Sequence, residues 1–179
     1  AIVERKFKKI AVVGVPCAVQ ALDRMRKSDN DLLIPYAKAI RLVIGLFCTE
    51  TFDYTTLIEG KLRSHYKLEP HEIRKLDVKG KLEILKQDGT TTIIPLAELE
   101  SCIRKGCHFC TDLTAVQSDL SAGAIGSPTG STTLIIRTLT GKGMVDSAVQ
   151  HQKLTIAAGI DKTVIEKLAS SKIKKNSRK

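Results

Sequence analysis

Five cysteines, at Cys17, Cys48, Cys102, Cys107 and Cys110, carry the most chemical information in this chain of 179 residues. Three of them fall in one short run, Cys102-Ile-Arg-Lys-Gly-Cys107-His-Phe-Cys110. Two thiolates separated by two residues let a single loop grip a metal ion or a cluster. Gly106, just before the pair, permits the tight backbone that such a loop needs. Adding Cys102 gives C-x4-C-x2-C, the opening of the plant-type ferredoxin spacing. That arrangement takes its fourth cysteine from downstream, and here no cysteine follows residue 110. A fourth thiolate must therefore come from Cys17 or Cys48. An isolated cysteine is by default a small buried hydrophobe, but five in this arrangement favour a metal or cluster over five unrelated thiols.

Zinc is the rival to iron–sulfur. Structural zinc sites pair two close Cys/His doublets, whereas this sequence offers one doublet and separated cysteines. His108 lies between two candidate ligands and is expected to point away from them. His65, His71 and His151 form no recognisable spacing with it. A second constellation is Gly123-Ala-Ile-Gly126-Ser-Pro-Thr-Gly130-Ser-Thr-Thr133. It matches neither a Walker loop nor a Rossmann fingerprint, and reads equally as a hairpin loop or a cofactor cradle. Bare glycines and hydroxyls allow backbone N–H groups to approach a phosphate or a flat ring. Arg137, one strand away, either answers an anionic group or faces solvent. No Ser-His-Asp or paired-carboxylate constellation is present, so no catalytic residue is assigned.

The elements that must position these residues follow from the patterning. Residues 9–14 are continuous and β-branched, as in a buried strand. Val15-Pro16-Cys17 turns the chain, and residues 18–27 have helical spacing, with Val19, Leu22 and Met25 on one face. After a polar break at 28–31, residues 40–48 form a second core strand and 52–66 a second amphipathic helix. This β-α-β-α order predicts a small parallel sheet. Cys17 and Cys48 each follow a strand, at the carboxyl ends where open α/β sheets hold ligands. Cys17 also opens a helix, whose dipole favours thiolate. Residues 79–96 alternate around Asp88-Gly89, a hairpin signal, and Pro95 opens a short helix to Cys102 or Arg104. Strands are expected at 119–125 and 132–138, and a hairpin turn at Thr140-Gly-Lys-Gly143. Asp161 caps a last helix over 162–171. The fold class expected is α/β (α+β): a small, partly parallel sheet flanked by helices, with added β-hairpins and a cysteine-rich cluster-binding loop. No internal repeat is found.

Composition narrows the class. The chain is 42% hydrophobic and 27% charged, as in ordinary globular proteins. At this length no disulfide framework is needed for folding. No run approaches the roughly 18 apolar residues of a membrane span. No secretory leader is evident, so a cytoplasmic location is expected. The net charge is +10, and half of it sits in the last nine residues, on Lys172, Lys174, Lys175, Arg178 and Lys179. Residues 1–171 are thus expected to form one domain and 172–179 a basic disordered tail. With three Tyr, four Phe and no Trp, the chain lacks stacking surfaces for single-stranded bases. A small phosphate-bearing molecule accounts for the body's mild excess as well as DNA or RNA does.

Taken in order, these residues resemble a known family. Val13-Gly-Val-Pro-Cys17-Ala-Val-Gln-Ala-Leu22 is similar to its GTPCQ-x-A strand–turn–helix, and Leu46-Phe-Cys48 to its second cysteine strand. Arg104-Lys-Gly-Cys-His-Phe-Cys-Thr-Asp-Leu-Thr-Ala115, continuing through Ser118-Asp-Leu-Ser-Ala-Gly-Ala-Ile-Gly-Ser127 and on to Thr138, resembles its most characteristic block. The family is the coenzyme F-420 hydrogenase/dehydrogenase beta subunit, in its carboxyl-terminal domain. The resemblance implies a flavoprotein with an iron–sulfur cluster that exchanges hydride with the deazaflavin coenzyme F-420 and passes electrons to partner subunits of a hydrogenase or dehydrogenase complex.

Carried across, Cys17, Cys48, Cys107 and Cys110 would hold a 4Fe-4S cluster. Gly123, Gly126, Ser127, Gly130, Ser131 and Thr132, with Arg137, would line FAD. Cys102 fits the pattern less well and is a spare or substitute ligand. Val15 stands where the family has Thr, and Ala18 where it has Gln; neither change removes a ligand. Family members begin well before residue 9 with a segment that helps enclose the flavin. The present piece alone is therefore expected to bind flavin poorly. Two other readings remain at this point: a zinc-stabilised nucleic-acid-binding or interaction module, and a ferredoxin-dependent flavin/iron–sulfur reductase of the same family.

Overall fold

The β-branched run that ends at Gly14 and the one that ends at Leu46 both become strands, and they lie side by side. The computed structural model describes residues 2–78 and 80–177. After a short helix, α1 (Ile2–Arg5), come β1 (Ile10–Gly14), α2 (Pro16–Arg26), α3 (Ile34–Ala39) and β2 (Ile40–Leu46). A wide-turned helix, Thr55–His65, leads to β3 (Ile73–Val78), β4 (Lys81–Lys86) and β5 (Thr91–Pro95). Two tight 3-10 turns, Leu96–Cys102 and Lys105–Phe109, precede β6 (Leu120–Gly123), β7 (Thr133–Ile136), α4 (Leu139–Gln150) and α5 (Lys162–Asn176). Lys79 of the expected hairpin segment, and Arg178 and Lys179 of the expected basic tail, lie outside the described residues. No helix among the described residues is long and apolar enough to cross a membrane.

The chain divides into two compact units where one domain was expected. The first runs up to Thr49 and resumes at Cys110; the second is Glu50–Phe109. The connection between β2 and β6 has grown into a body with its own sheet and core.

The first unit is built on a four-stranded sheet in the order β1-β2-β6-β7. β1 pairs parallel with β2, β2 parallel with β6, and β6 antiparallel with β7. Val19, Leu22 and Met25 of α2 pack with Ile10, Val12 and Val43, as the helical spacing implies. Val145 of α4 packs with Leu42, Ile44, Leu120 and Leu134. Alternate residues of β2 thus face two separate clusters, which explains its nearly unbroken apolar run. Asp119 joins these pieces. Its carboxylate accepts from the Val43 amide at 2.8 Å and the Thr138 hydroxyl at 2.8 Å, and Arg26 lies 3.5 Å away.

The second unit is a three-stranded antiparallel sheet, β3-β4-β5. Leu57, Leu62, Leu68, Leu82, Ile84, Ile94, Leu99 and Cys102 form its core. The expected hairpin is β4–β5, closed around Asp88-Gly89. The helix over 55–65 is of the π type, with hydrogen bonds that close five residues apart. Its buried Leu57 and Leu62 are also five apart, so the wider turn puts both on one face. β3 was not expected. Its pairing slips between Ile73 and Lys75, a bulge that breaks the alternation a strand normally displays.

Two expectations are corrected. Thr140-Gly-Lys-Gly143 is no hairpin turn but the first part of α4, whose start is capped by the Thr138 hydroxyl accepting from the Gly141 amide at 3.1 Å. Gly141 is there for closeness, since a Cβ would run into the Asp119 carbonyl. The tail is the second. Asp161 does cap the last helix, but α5 continues to Asn176, and Lys172 and Asn176 are each 7% exposed. Lys172 is held by buried carbonyl oxygens, so this part of the basic run is packed structure.

Gly45, the next-to-last residue of β2, lies directly under the loop that carries Ala115 and Ser118; a Cβ there would collide with both side chains. Gly45→Ala is expected to destabilise the protein by about 1–3 kcal/mol through overpacking. The shift of the urea midpoint, with the slope unchanged, measures it.

Candidate functional site

In the first unit the parallel pairing of β1 and β2 brings two distant cysteines to one end of the sheet. Cys17 lies in the first turn of α2, just after Pro16, and is exposed. Cys48 follows the end of β2 and is half-buried. Its amide donates to the Leu113 carbonyl at 2.9 Å, which ties the chain leaving β2 to the chain that begins with Cys110. Cys110 is also half-buried, with its Sγ 3.6 Å from the Asp112 carbonyl.

The loop after Cys110 is held by its own polar groups. The Asp112 carboxylate accepts from the Thr114 and Val116 amides, each at 3.0 Å. The Ser118 hydroxyl donates to the Ala115 carbonyl at 2.7 Å. Such local side-chain-to-backbone bonds fix a turn without a ligand. From α5, Lys172 Nζ donates to the Cys48 carbonyl at 2.7 Å and the Asp112 carbonyl at 2.6 Å. Asn176 Nδ2 donates to the Cys110 carbonyl at 2.6 Å.

Cys107 and Cys102 belong to the second unit. Cys107 sits in the 3-10 turn Lys105–Phe109 and is half-buried. Its Sγ accepts from the Thr51 amide at 3.3 Å, with the Thr51 hydroxyl also at 3.3 Å. Cys102 is 2% exposed, sits in the apolar core, and has its Sγ 3.6 Å from the Thr56 carbonyl. It has the environment of a small buried hydrophobe.

The donor chemistry of Cys17, Cys48, Cys107 and Cys110 fits an iron–sulfur cluster: all are thiols, each at least partly accessible, and one already accepts an N–H to sulfur. Among the described residues, no three His, Cys, Asp or Glu side chains stand close enough together to form a ready-made cage. His151 Nδ1 lies 2.8 Å from the Ser147 carbonyl at the end of α4, and His65 packs edge-on to Tyr66.

The glycine-rich loop between β6 and β7 is closed largely on itself. A Cβ at Gly123 would strike the Phe47 ring, and one at Gly126 would strike the Asp161 carbonyl and Ile165. Gly126 also has φ +83°, which favours glycine. The Asp161 amide donates to the Gly126 carbonyl at 2.7 Å. The Ser127 hydroxyl lies 3.1 Å from both the Ala124 and Ser131 carbonyls. These two glycines and Ser127 are thus accounted for by packing. Gly130 is different: its φ is +85°, and open space surrounds the position of a Cβ. Gly130, Ser131 and Thr132 are exposed.

Arg137 does not simply face solvent. Its guanidinium donates to the Ser121 hydroxyl at 2.6 Å and to the Thr114 carbonyl and hydroxyl at 3.1 and 2.9 Å. Burial pushes the guanidinium below its ordinary value, opposed by the charge of Asp112. Arg137 therefore joins β6 and β7 to the Cys110 loop. Sequence reasoning missed Thr51, Lys172 and Asn176. Only the fold shows them, because an ordinary Thr and a Lys in a basic run give no signal of their own.

The chain is similar to known proteins along nearly its whole length. The family model described as the carboxyl terminus of the coenzyme F-420 hydrogenase/dehydrogenase beta subunit matches residues 7–162. An uncharacterised protein of Methanocaldococcus jannaschii is 42% identical over 176 residues, 98% of this chain and 48% of that protein. The beta subunit of the coenzyme F-420 hydrogenase of Methanococcus voltae is 30% identical over 183 residues, covering 98% of this chain and 63% of the relative. A chain of the F-420-reducing NiFe hydrogenase complex from Methanosarcina barkeri superposes with a TM-score of 0.86 at 28% identity, covering 96% of this chain and 60% of that one. The chain thus spans less than two thirds of each of these proteins.

Arg137→Ala is expected to cost about 2 kcal/mol of stability in the absence of any ligand, since hydrogen bonds from a charged donor are lost and the Thr114 carbonyl loses its partner. Denaturant unfolding of flavin-free protein checks this. A residue that served only a bound anion would leave that midpoint unchanged.

Proposed function

Because the chain belongs to the coenzyme F-420 hydrogenase/dehydrogenase beta-subunit family, we propose that it is the carboxyl-terminal part of such a subunit in an F-420-dependent oxidoreductase. In this reading it serves electron flow between coenzyme F-420, FAD and a 4Fe-4S cluster, and onward to partner subunits. When bound, the flavin and the cluster supply the chemistry that links a two-electron hydride donor to one-electron carriers. The observation that carries the reading is the parallel β1–β2 pairing, which sets Cys17 and Cys48 beyond the same end of the sheet.

The chain's own residues bind and orient in this scheme. Cys17, Cys48, Cys107 and Cys110 are the proposed ligands, and Cys102 is a core thiol outside the set. The Thr51 N–H donates to Cys107 Sγ and so helps hold that side chain in one orientation. Asp112 and Ser118 keep the Cys110 loop in one conformation, at no cost of ordering when a group binds. The exposed Gly130-Ser-Thr132 edge is the part of the glycine loop with room for a flavin. Gly123, Gly126, Ser127 and Arg137 act beneath it by fixing the loop's shape. No acid–base residue is required, since the cofactors carry the redox chemistry.

The test is anaerobic reconstitution of the full-length protein with iron and sulfide, followed by iron, sulfide, zinc and flavin analysis. A broad visible charge-transfer absorbance bleached by dithionite is the expected result; a colourless protein with stoichiometric zinc would sink the reading. Replacing Cys17, Cys48, Cys107 or Cys110 singly by Ser is expected to remove more than about half of the bound iron, each being one of four thiolates around the cluster. Cys102→Ser should retain the iron while lowering stability by about 1–3 kcal/mol, the cost of a hydroxyl in an apolar site. Iron loss in Cys102→Ser with retention in Cys17→Ser would refute the ligand set.

A further inference from the structure

The end of α5 puts a buried cation against the cysteine loops. Lys172 is 7% exposed, and its Nζ is held by the main-chain carbonyls of Cys48 and Asp112. Among the described residues no carboxylate pairs with it, and the Asp112 carboxylate is turned to the Thr114 and Val116 amides. One turn on, Asn176, equally buried, donates to the Cys110 carbonyl. Two side chains of one helix thus hold the backbone of two of the first unit's three cysteine segments, those of Cys48 and Cys110. A buried ammonium stabilised only by carbonyl dipoles is costly. Carbonyl oxygens satisfy its donors but leave its charge without a counter-ion among the described residues. The helix begins at Lys162, the residue at which the match to the family model ends.

We propose that Lys172 is the counter-charge of the cluster site and, with Asn176, its positioning residue: α5 locks the Cys48 and Cys110 loops in place and its cation raises the reduction potential of the cluster they receive. The inference rests on the iron–sulfur reading above. A cluster held by four thiolates is anionic, and one-electron reduction makes it more so. A fixed positive charge beside it favours the reduced form, and net charge and hydrogen bonding are the terms that set such potentials. The positive charge of Lys172 and the excess negative charge of the site then compensate each other.

The experiment compares wild type, Lys172→Gln and Lys172→Arg as full-length protein, reconstituted anaerobically. Iron and sulfide content is measured, and the midpoint potential is read by spin-resonance-monitored redox titration. Gln keeps an N–H donor for the carbonyls but removes the charge; Arg keeps the charge. At the potential where wild type is half reduced, the reduced-to-oxidised ratio of the Gln variant is expected to fall about tenfold, which is about 59 mV for a one-electron couple. The Arg variant should stay within about twofold of wild type, on the same scale. Loading of the Arg variant with failure of a folded Gln variant to load would equally support the charge role. An unchanged potential in Lys172→Gln, an equal shift in both variants, or loss of iron from both overturns it. Should the Gln variant not fold, Lys172→Met takes its place in the same comparison, with the same outcomes deciding. A wild-type protein that takes up no iron sinks the cluster reading itself, a result distinct from a loaded wild type whose variants match it.

Discussion

Val12 and Val43 lie opposite each other in a parallel ladder, and that pairing compels two segments far apart in sequence to leave the sheet at the same end. An antiparallel arrangement of the same strands would have sent Cys17 and Cys48 to opposite edges of the molecule. The parallel register is itself enforced from both faces. α2 presses Val19 and Leu22 onto one side, and α4 presses Val145 onto the other. Asp119 then ties β2, β6 and the start of α4 together, so the strand ends do not shift relative to each other without breaking buried hydrogen bonds. A site made of loops gains its precision from a scaffold of this kind.

What the sequence disclosed and what it hid follow one rule. Strands with continuous β-branched runs, and the helix that repeats Val19, Leu22 and Met25, were legible because burial imposes a period on them. The cysteines were legible because their chemistry is rare and their spacing is tight. β3 escaped notice because a bulge near Arg74 breaks its alternation at the strand's start. The start of α4 looked like a turn because Gly141 and Gly143 carry the composition of one, although Gly141 answers a steric demand from the Asp119 backbone, more than twenty residues upstream. Long-range crowding leaves no local trace.

Lys172 is the sharpest case. In composition it is one more lysine in a basic stretch, and nothing around it distinguishes it from Lys174 or Lys175. Its burial depends on where α5 meets the backbone near Cys48, a contact across 124 residues of chain. The glycine loop teaches the converse. Gly123 and Gly126 looked like places reserved for a ligand, yet Phe47 and Ile165 already occupy the space that their missing side chains leave. Within one short segment, only Gly130 keeps its openness for something other than the protein itself.

The hydrogen bond from the Cys48 amide to the Leu113 carbonyl has a consequence for how the molecule can change. It pins together the exit and the re-entry points of a sixty-residue excursion, Glu50–Phe109. The mouth of that excursion is closed by the sheet, whatever hangs from it. Closure entropy varies only slowly with the length of such a detour, so the socket can accept a larger, smaller or unrelated graft with little penalty to the strands beneath. Evolution is thereby free to remodel the appendage while the ladder below remains constant.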